Sequence, residues 1–206
     1  MTVTFILIAV NVVASIYAWN RTDKLYAWML NPYSVVHRNQ YYRLLTSGFI
    51  HNDWVHLIFN MITLYFFGRN MEYVFNYLYG GSGTLYFLIL YFAGMIVADV
   101  PSVIKHRGNP HYNSLGASGA VSAVLFASIL FNPTSRICLY MALCMPGFVF
   151  GILYLVYSFY QGKRSEGNIN HDAHLFGALF GIVFSIIIRP TVIESFFEQV
   201  LNFRIF

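Results

Sequence analysis

The chain has 206 residues, of which 58% are hydrophobic and only 10% charged, with a mean hydropathy of +0.59; a soluble domain carries about 25% charged residues, so this composition reads as a polytopic membrane protein. No polar stretch is long enough to bury a core of its own, which excludes a separate soluble domain. The formal charge of +4 comes from Lys and Arg scattered through the connections, so there is no basic stripe for nucleic acid, and lipid headgroups are the expected partners of these cations.

Six apolar segments approach the ~20 residues that a membrane-spanning helix requires: 3–19, 54–71, 84–104, 115–131, 137–160 and 173–188. The expected fold is therefore all-α, a six-transmembrane-helix bundle with a long interfacial first loop. Residues 3–19 lack a basic region before them and a small-residue cleavage site after them, and read as a retained helix. The connection 20–53 alternates Tyr26, Trp28, Tyr33, Tyr41 and Tyr42 with Arg21, Lys24, Arg38 and Arg43, which suits short amphipathic pieces in the interface. Residues 79–83 form a glycine-rich turn without a phosphate-binding pattern. Cys138 and Cys144 lie in an apolar segment without CxxC spacing and read as buried free thiols. The connection 161–172 is polar and glycine-containing, as befits a loop that can move over a cavity. Beyond Pro190 the tail carries Val192, Phe196, Phe197, Val200 and Leu201 against Glu194 and Glu198, an interfacial amphipathic helix too short and too charged to span.

Polar side chains inside spanning segments are expensive and point to a bundle interior or to function. His56 and Asn60, four apart, share one face of the second segment; Ser118 opens the fourth, and His174 opens the sixth. Two crossings separate each of these segments from the next, so all three enter from the same side and their polar groups lie at similar depth. Gly119, Ala123 and Ala127 form a small-residue stripe on the fourth segment, as do Gly177 and Gly181 on the sixth; such stripes let two backbones approach closely in a bilayer. A buried Ser beside a neutral His is the minimal nucleophile and base. The Ser118 backbone N–H, with His56 and Asn60, could supply donors for a tetrahedral oxyanion. Gly116 and Gly119 flank the serine and leave room for a substrate backbone.

At these residues the chain resembles the rhomboid family of intramembrane serine proteases. Gly116-Ala117-Ser118-Gly119 is similar to the family's GxSG motif, and residues 173–181, with His174, Gly177 and Gly181, are similar to its AHxxGxxxG helix. The His56 to Asn60 spacing resembles its HxxxN oxyanion helix, and Tyr42-Arg43 with His51 resembles its first loop. The likeness runs from the first helix to Arg189, implying a membrane domain over 1–190 and a short amphipathic tail over 191–206. It further implies a Ser118–His174 dyad without a catalytic Asp, oxyanion assistance from His56 and Asn60, and hydrolysis of peptide bonds in or near transmembrane segments of membrane-protein substrates. No cofactor and no metal is expected. A mobile fifth helix and cap loop would be 137–160 and 161–172, with a bend at Pro146-Gly147. The implied setting is a bacterial inner (plasma) membrane, with the active site opening to the outer side.

Two features depart from the family pattern. Many bacterial members carry a Tyr one turn after the serine, supporting the imidazole, where this chain has Ser122. The family orientation also puts eight cations outside (Arg21, Lys24, Arg38, Arg43, Lys105, Arg107, Lys163, Arg164) and four inside (Arg69, Arg136, Arg189, Arg204), whereas the positive-inside rule favours the reverse.

Three rival readings are weaker. A transporter would carry inverted repeats with matching broken helices, and no such pairing is present. A zinc protease could draw on His51, His56, His171 and His174, but the HExxH signature is absent. A catalytically dead relative is disfavoured by the intact Ser118 and His174.

Overall fold

The computed structural model describes residues 2–139, 143–164 and 170–204. It is mostly helical: α1 (Val3–Trp19), α2 (Thr22–Trp28), α3 (Pro32–His37), α4 (Arg43–Thr46), α5 (Trp54–Thr63), α6 (Arg69–Tyr79), α7 (Gly83–His106), α8 (Ser118–Phe131), α9 (Gly147–Arg164), α10 (His171–Ile188) and α11 (Val192–Leu201). Two strands, β1 (Arg136–Leu139) and β2 (Leu143–Pro146), pair antiparallel between α8 and α9.

Local chemistry sets the helix starts. The first backbone N–H groups of a helix lack intrahelical acceptors, and for α1 the distant Glu72 carboxylate accepts from Val3 N (2.7 Å), Thr4 N (3.0 Å) and Thr4 Oγ1 (2.7 Å). Asn31, Asp53 and Asn170 cap α3, α5 and α10 through their side chains, as short polar residues do at this position. A π-helical turn, Leu64–Gly68, joins α5 to α6. The chain then reverses through Gly80–Ser82, where Gly80 has φ 56°, a conformation glycine adopts without steric cost.

The helices surround α8. Eleven of its fourteen residues are buried, so it presents little of itself to the outside. Phe75, Phe87, Leu90 and Tyr91, from α6 and α7, are fully buried in the core that includes Ala120, Ala123 and Val124 of α8. Large apolar side chains such as Val13, Val55, Ile104 and Ile187 point outward, 64–73% exposed, as lipid-facing positions would. Among the described residues two stretches, Trp54–His106 and His171–Ile188, are long and apolar enough to cross a membrane by length and composition. Helices Val3–Trp19, Ser118–Phe131 and Gly147–Gly162 are apolar but shorter.

Two expectations are corrected. The segment 137–160 is not one bent helix: residues 137–139 and 143–146 are paired strands, and the helix begins at Gly147. The fold is accordingly not purely α. The reason lies at the Pro133 end of α8, where Gly147 N donates to Ser135 O (2.9 Å) and Phe148 N to Pro133 O (2.8 Å), closing the loop onto itself. The cysteines are not free thiols. Hairpin register sets Cys138 directly opposite Cys144, and the two form a disulfide. In the connection expected over 161–172, α9 continues to Arg164, and residues 165–169 lie outside the described residues.

Candidate active site

The first connection, 20–53, and the connection between α7 and α8 are stapled together before either reaches the bundle. Leu30 and Ser114 exchange backbone hydrogen bonds of 2.9 and 3.0 Å. The Asn31 side-chain amide donates to Pro110 O and Tyr112 O, both at 3.0 Å. Arg43, 9% exposed, donates to Tyr26 O, Met29 O and Gln40 Oε1, so its guanidinium satisfies carbonyls that a folded-back loop would otherwise leave bare. The long first connection is therefore a fixed scaffold.

That scaffold holds the segment just before Ser118. Gly116 N donates to Ser47 O (2.9 Å) and Ala117 N to His51 Nε2 (3.4 Å). Since His51 accepts at Nε2, its proton sits on Nδ1, 3.0 Å from Ser15 Oγ, and that hydroxyl in turn donates to Phe49 O (3.3 Å). His51 is fully buried, and burial, with the neighbouring His56, pushes its pKa down to about 3; it therefore stays neutral and can keep accepting. Asp53, by contrast, is held below the usual carboxylate range, chiefly by the His56 backbone N–H it caps. Gly116 has φ 125°, and a side chain there would strike the His56 imidazole. This is the one position at the site where glycine is required twice over, by conformation and by space.

Ser118 follows as the first residue of α8, half-buried, with the unpaired N–H groups of a helix start around it. Across from it, α10 is locked to α8 at backbone contact distance: a Cβ on Gly177 would overlap Gly119 O, and one on Gly181 would overlap Ala123 O. Gly119 in turn abuts Ala98 of α7, where an added Cβ would come within 2.5 Å. In a bilayer helices gain little by hiding apolar surface from one another, so such backbone-level packing and polar bonds must hold them. Asn170 accepts from Ala173 N (3.1 Å) and bonds Ser102 of α7 (2.9 Å), fixing the start of α10 against α7.

The result is a small pocket lined by Ser47, Asp99, Gly116, Ser118, Asn170 and Ala173, among others. His56 stands over it at Gly116, and half-buried His174 sits one residue beyond Ala173. No hydrogen bond joins Ser118 to His174 among the described residues. Asn60 is buried, and its side-chain amide donates to His56 O at 2.9 Å, within its own helix. Among the described residues no group of three His, Cys, Asp or Glu side chains is placed to hold a metal ion; the His51–His56 and His171–His174 rings lie 5.0 and 5.9 Å apart in two separate pairs.

Several site residues escaped the sequence reading. Asp99 was within reach, because an acidic residue inside the apolar segment 84–104 is the same signal that singled out His56. Ser47 and Asn170 lie in connections, where polar residues carry no signal. Tyr154, whose ring stacks on His174 with centroids 6.1 Å apart, is one of many aromatics on α9 and had nothing to mark it.

Comparison with known proteins shows the family of this chain. The Rhomboid domain family matches residues 38–191, a span that contains every residue of the pocket. RHOMBOID-like protein 12, mitochondrial, of Arabidopsis thaliana is 31% identical over 150 residues, 66% of this chain and 43% of that protein. Rhomboid-like protein 17, chloroplastic, of the same plant is 30% identical over 183 residues, 80% of this chain and 53% of that protein. Rhomboid protease GluP of Bacillus subtilis is 28% identical over 160 residues, 78% of this chain and 28% of that protein. The chain thus spans about half or less of the length of these curated relatives. With a family match over most of its length, the chain belongs to the rhomboid family.

Proposed function

We propose that this chain is an intramembrane serine endopeptidase that hydrolyses peptide bonds in or near transmembrane segments of membrane-protein substrates. The observation that carries the reading is the meeting of three helix starts: Ser118 opens α8, His56 overlies Gly116, and His174 lies on the helix whose glycines touch the α8 backbone. Family membership supports it, since one relative is itself named a protease.

In this mechanism the Ser118 hydroxyl oxygen attacks the scissile carbonyl while the His174 imidazole takes its proton. The oxyanion of the tetrahedral intermediate is met by the Ser118 backbone N–H and the His56 imidazole, with Asn60 assisting. His174 returns the proton to the leaving amine, leaving an acyl-serine. Water, deprotonated by the same imidazole, then releases the second fragment and restores Ser118. Catalytic hydrogen bonds are often long in a free enzyme and tighten with substrate, so the dyad does not require a Ser118–His174 hydrogen bond in the free chain. No step calls for a metal or a cofactor.

The architecture that goes with this chemistry is a six-helix membrane domain over 1–190, in which α8 and α9 are short spans, followed by the interfacial tail 191–206. Lipid headgroups meet the Lys and Arg of the first connection. The proposed setting is a bacterial inner membrane with the site open to the outer side; relatives named mitochondrial and chloroplastic make the lipid environment, and not one compartment, the firmer part of that setting. The test is cleavage of a fluorogenic transmembrane peptide by the purified chain in liposomes. Cleavage that survives a chelator and disappears with Ser118→Ala is expected; chelator-sensitive cleavage that survives Ser118→Ala would overturn the reading.

A further inference from the structure

Ser122 stands one helical turn after Ser118 on α8, and its hydroxyl is engaged. Ser122 Oγ lies 2.7 Å from the phenol oxygen of Tyr154 on α9. The Tyr154 ring lies nearly parallel to the His174 imidazole, at 19° with centroids 6.1 Å apart. Phe126 of α8 and Phe150 of α9 pack on the same ring at centroid distances of 5.4 and 5.8 Å. One phenol thus touches the helix of the nucleophile through its oxygen and the base through its face, although it belongs to neither helix.

We propose that Tyr154 is the positioning residue for His174, and that Ser122 holds Tyr154 in register. The proposal rests on the serine-protease reading above and names how its base is oriented. An aromatic face against an imidazole restricts ring rotation and favours the imidazolium that forms transiently during proton transfer. A free phenol on α9 could swing between rotamers; the bond to Ser122 fixes the one that meets His174. A buried phenol needs a hydrogen-bond partner in any role; the observation that points to His174 is the near-parallel approach of the two rings. The support therefore comes from α9 across to α10, with Ser122 replacing an aromatic on α8 by an anchor for one. Displacing α9 would carry the ring away from His174, so the seating of this helix and the competence of the base are linked.

The test compares kcat and KM for a fluorogenic transmembrane peptide, using the full chain in liposomes. In Tyr154→Leu, kcat is expected to fall about 10- to 100-fold with KM within about 3-fold, the effect of a misaligned catalytic group. Tyr154→Phe keeps the ring and loses only the anchor, and is expected to lose less. Adding Ser122→Tyr to Tyr154→Leu places a ring beside His174 from α8 and is expected to recover most of the lost kcat, which a loss of packing alone would not permit. An unchanged kcat in Tyr154→Leu, or no recovery in the double variant at wild-type thermal stability, overturns the proposal. Labelling of wild-type Ser118 by a fluorophosphonate separates the two claims: a wild-type chain that never labels overturns the protease reading and this proposal with it, whereas normal labelling with either of those kinetic results overturns this proposal alone.

Discussion

The two ends of the bundle are built differently. At the end holding Ser118, elements distant in sequence bond one another: Ser47 and His51 to the 116–117 backbone, Asn31 to 110–112, Ser102 to Asn170. At the other end such bonds are fewer. The hairpin Arg136–Pro146 pairs with itself and is closed by a disulfide between residues six apart, and α11 packs against α8 with a long side-chain bond, Gln199 Nε2 to Phe131 O at 3.3 Å. Long-range bonds there include Glu72, reaching 68 residues back to cap α1, Asn70 Nδ2 to Ser128 Oγ at 2.9 Å, and the Tyr79 hydroxyl to Ile188 O at 2.9 Å. Long-range polar bonds cost chain entropy to assemble, and more of them lie at the end that holds the proposed nucleophile, base and oxyanion site, which would have to stay in register.

If that contrast is sound, substitutions at the site end should cost activity far beyond their cost in stability, and the reverse should hold at the hairpin. The largest combined loss of stability and activity, short of removing the dyad, is expected from Gly177→Ala, whose methyl group would overlap Gly119 O. Backbone cannot yield as a side chain can, so α10 must move away from α8. About 1–3 kcal/mol of stability and about 100-fold in kcat should be lost, read by thermal unfolding and peptide cleavage. Equal cleavage rates in this variant and wild type would break the link between helix contact and chemistry.

His56→Ala should lower kcat by about 10- to 1000-fold through loss of an oxyanion donor. Asn60→Ala should cost less, because the Asn60 amide is already partly committed to His56 O. An Asn60 effect larger than that of His56 would reverse the assignment of the main donor.

His51 ties the contrast to pH. Its pKa falls from an ordinary 6.5 to about 3 in the folded chain, so between those values the unfolded chain binds a proton that the folded chain excludes. Its contribution to stability is fully present above pH 6.5 and is lost as pH falls toward 3, each unit of difference being worth ~1.4 kcal/mol. His51→Gln should flatten this acid loss and lower stability at neutral pH, measured by thermal unfolding across the range. A wild-type profile that stays flat down to pH 4 would contradict a neutral, buried His51.

The smallest effect is expected at the hairpin. Replacing both Cys138 and Cys144 by Ser opens a short loop, worth about 2 kcal/mol or less, and should leave cleavage within about 2-fold. A large activity loss would mean that the hairpin steers α9, and with it the site.

The same contrast decides how far the sequence can be read. His56, Ser118 and His174 were legible because a polar group in an apolar segment is conspicuous, and the small-residue stripes marked helices able to pack closely. The hairpin was not legible: residues 137–145 form an apolar run ahead of Pro146-Gly147, and periodicity cannot separate a short apolar strand from a helix there. The cysteine pairing follows only from strand register, since residues six apart face each other only when a turn falls midway between them. Tyr154 is legible only in three dimensions, because its partners Ser122 and His174 lie on different helices.

The central claim is that Ser118 is a nucleophile activated by His174. The most direct measurement is covalent labelling of the purified chain by a fluorophosphonate, with the modified residue mapped by mass spectrometry. Labelling of Ser118 in the wild type that vanishes in the folded His174→Ala variant is the predicted result; an unlabelled wild type with its helices intact, or undiminished labelling in His174→Ala, would contradict it.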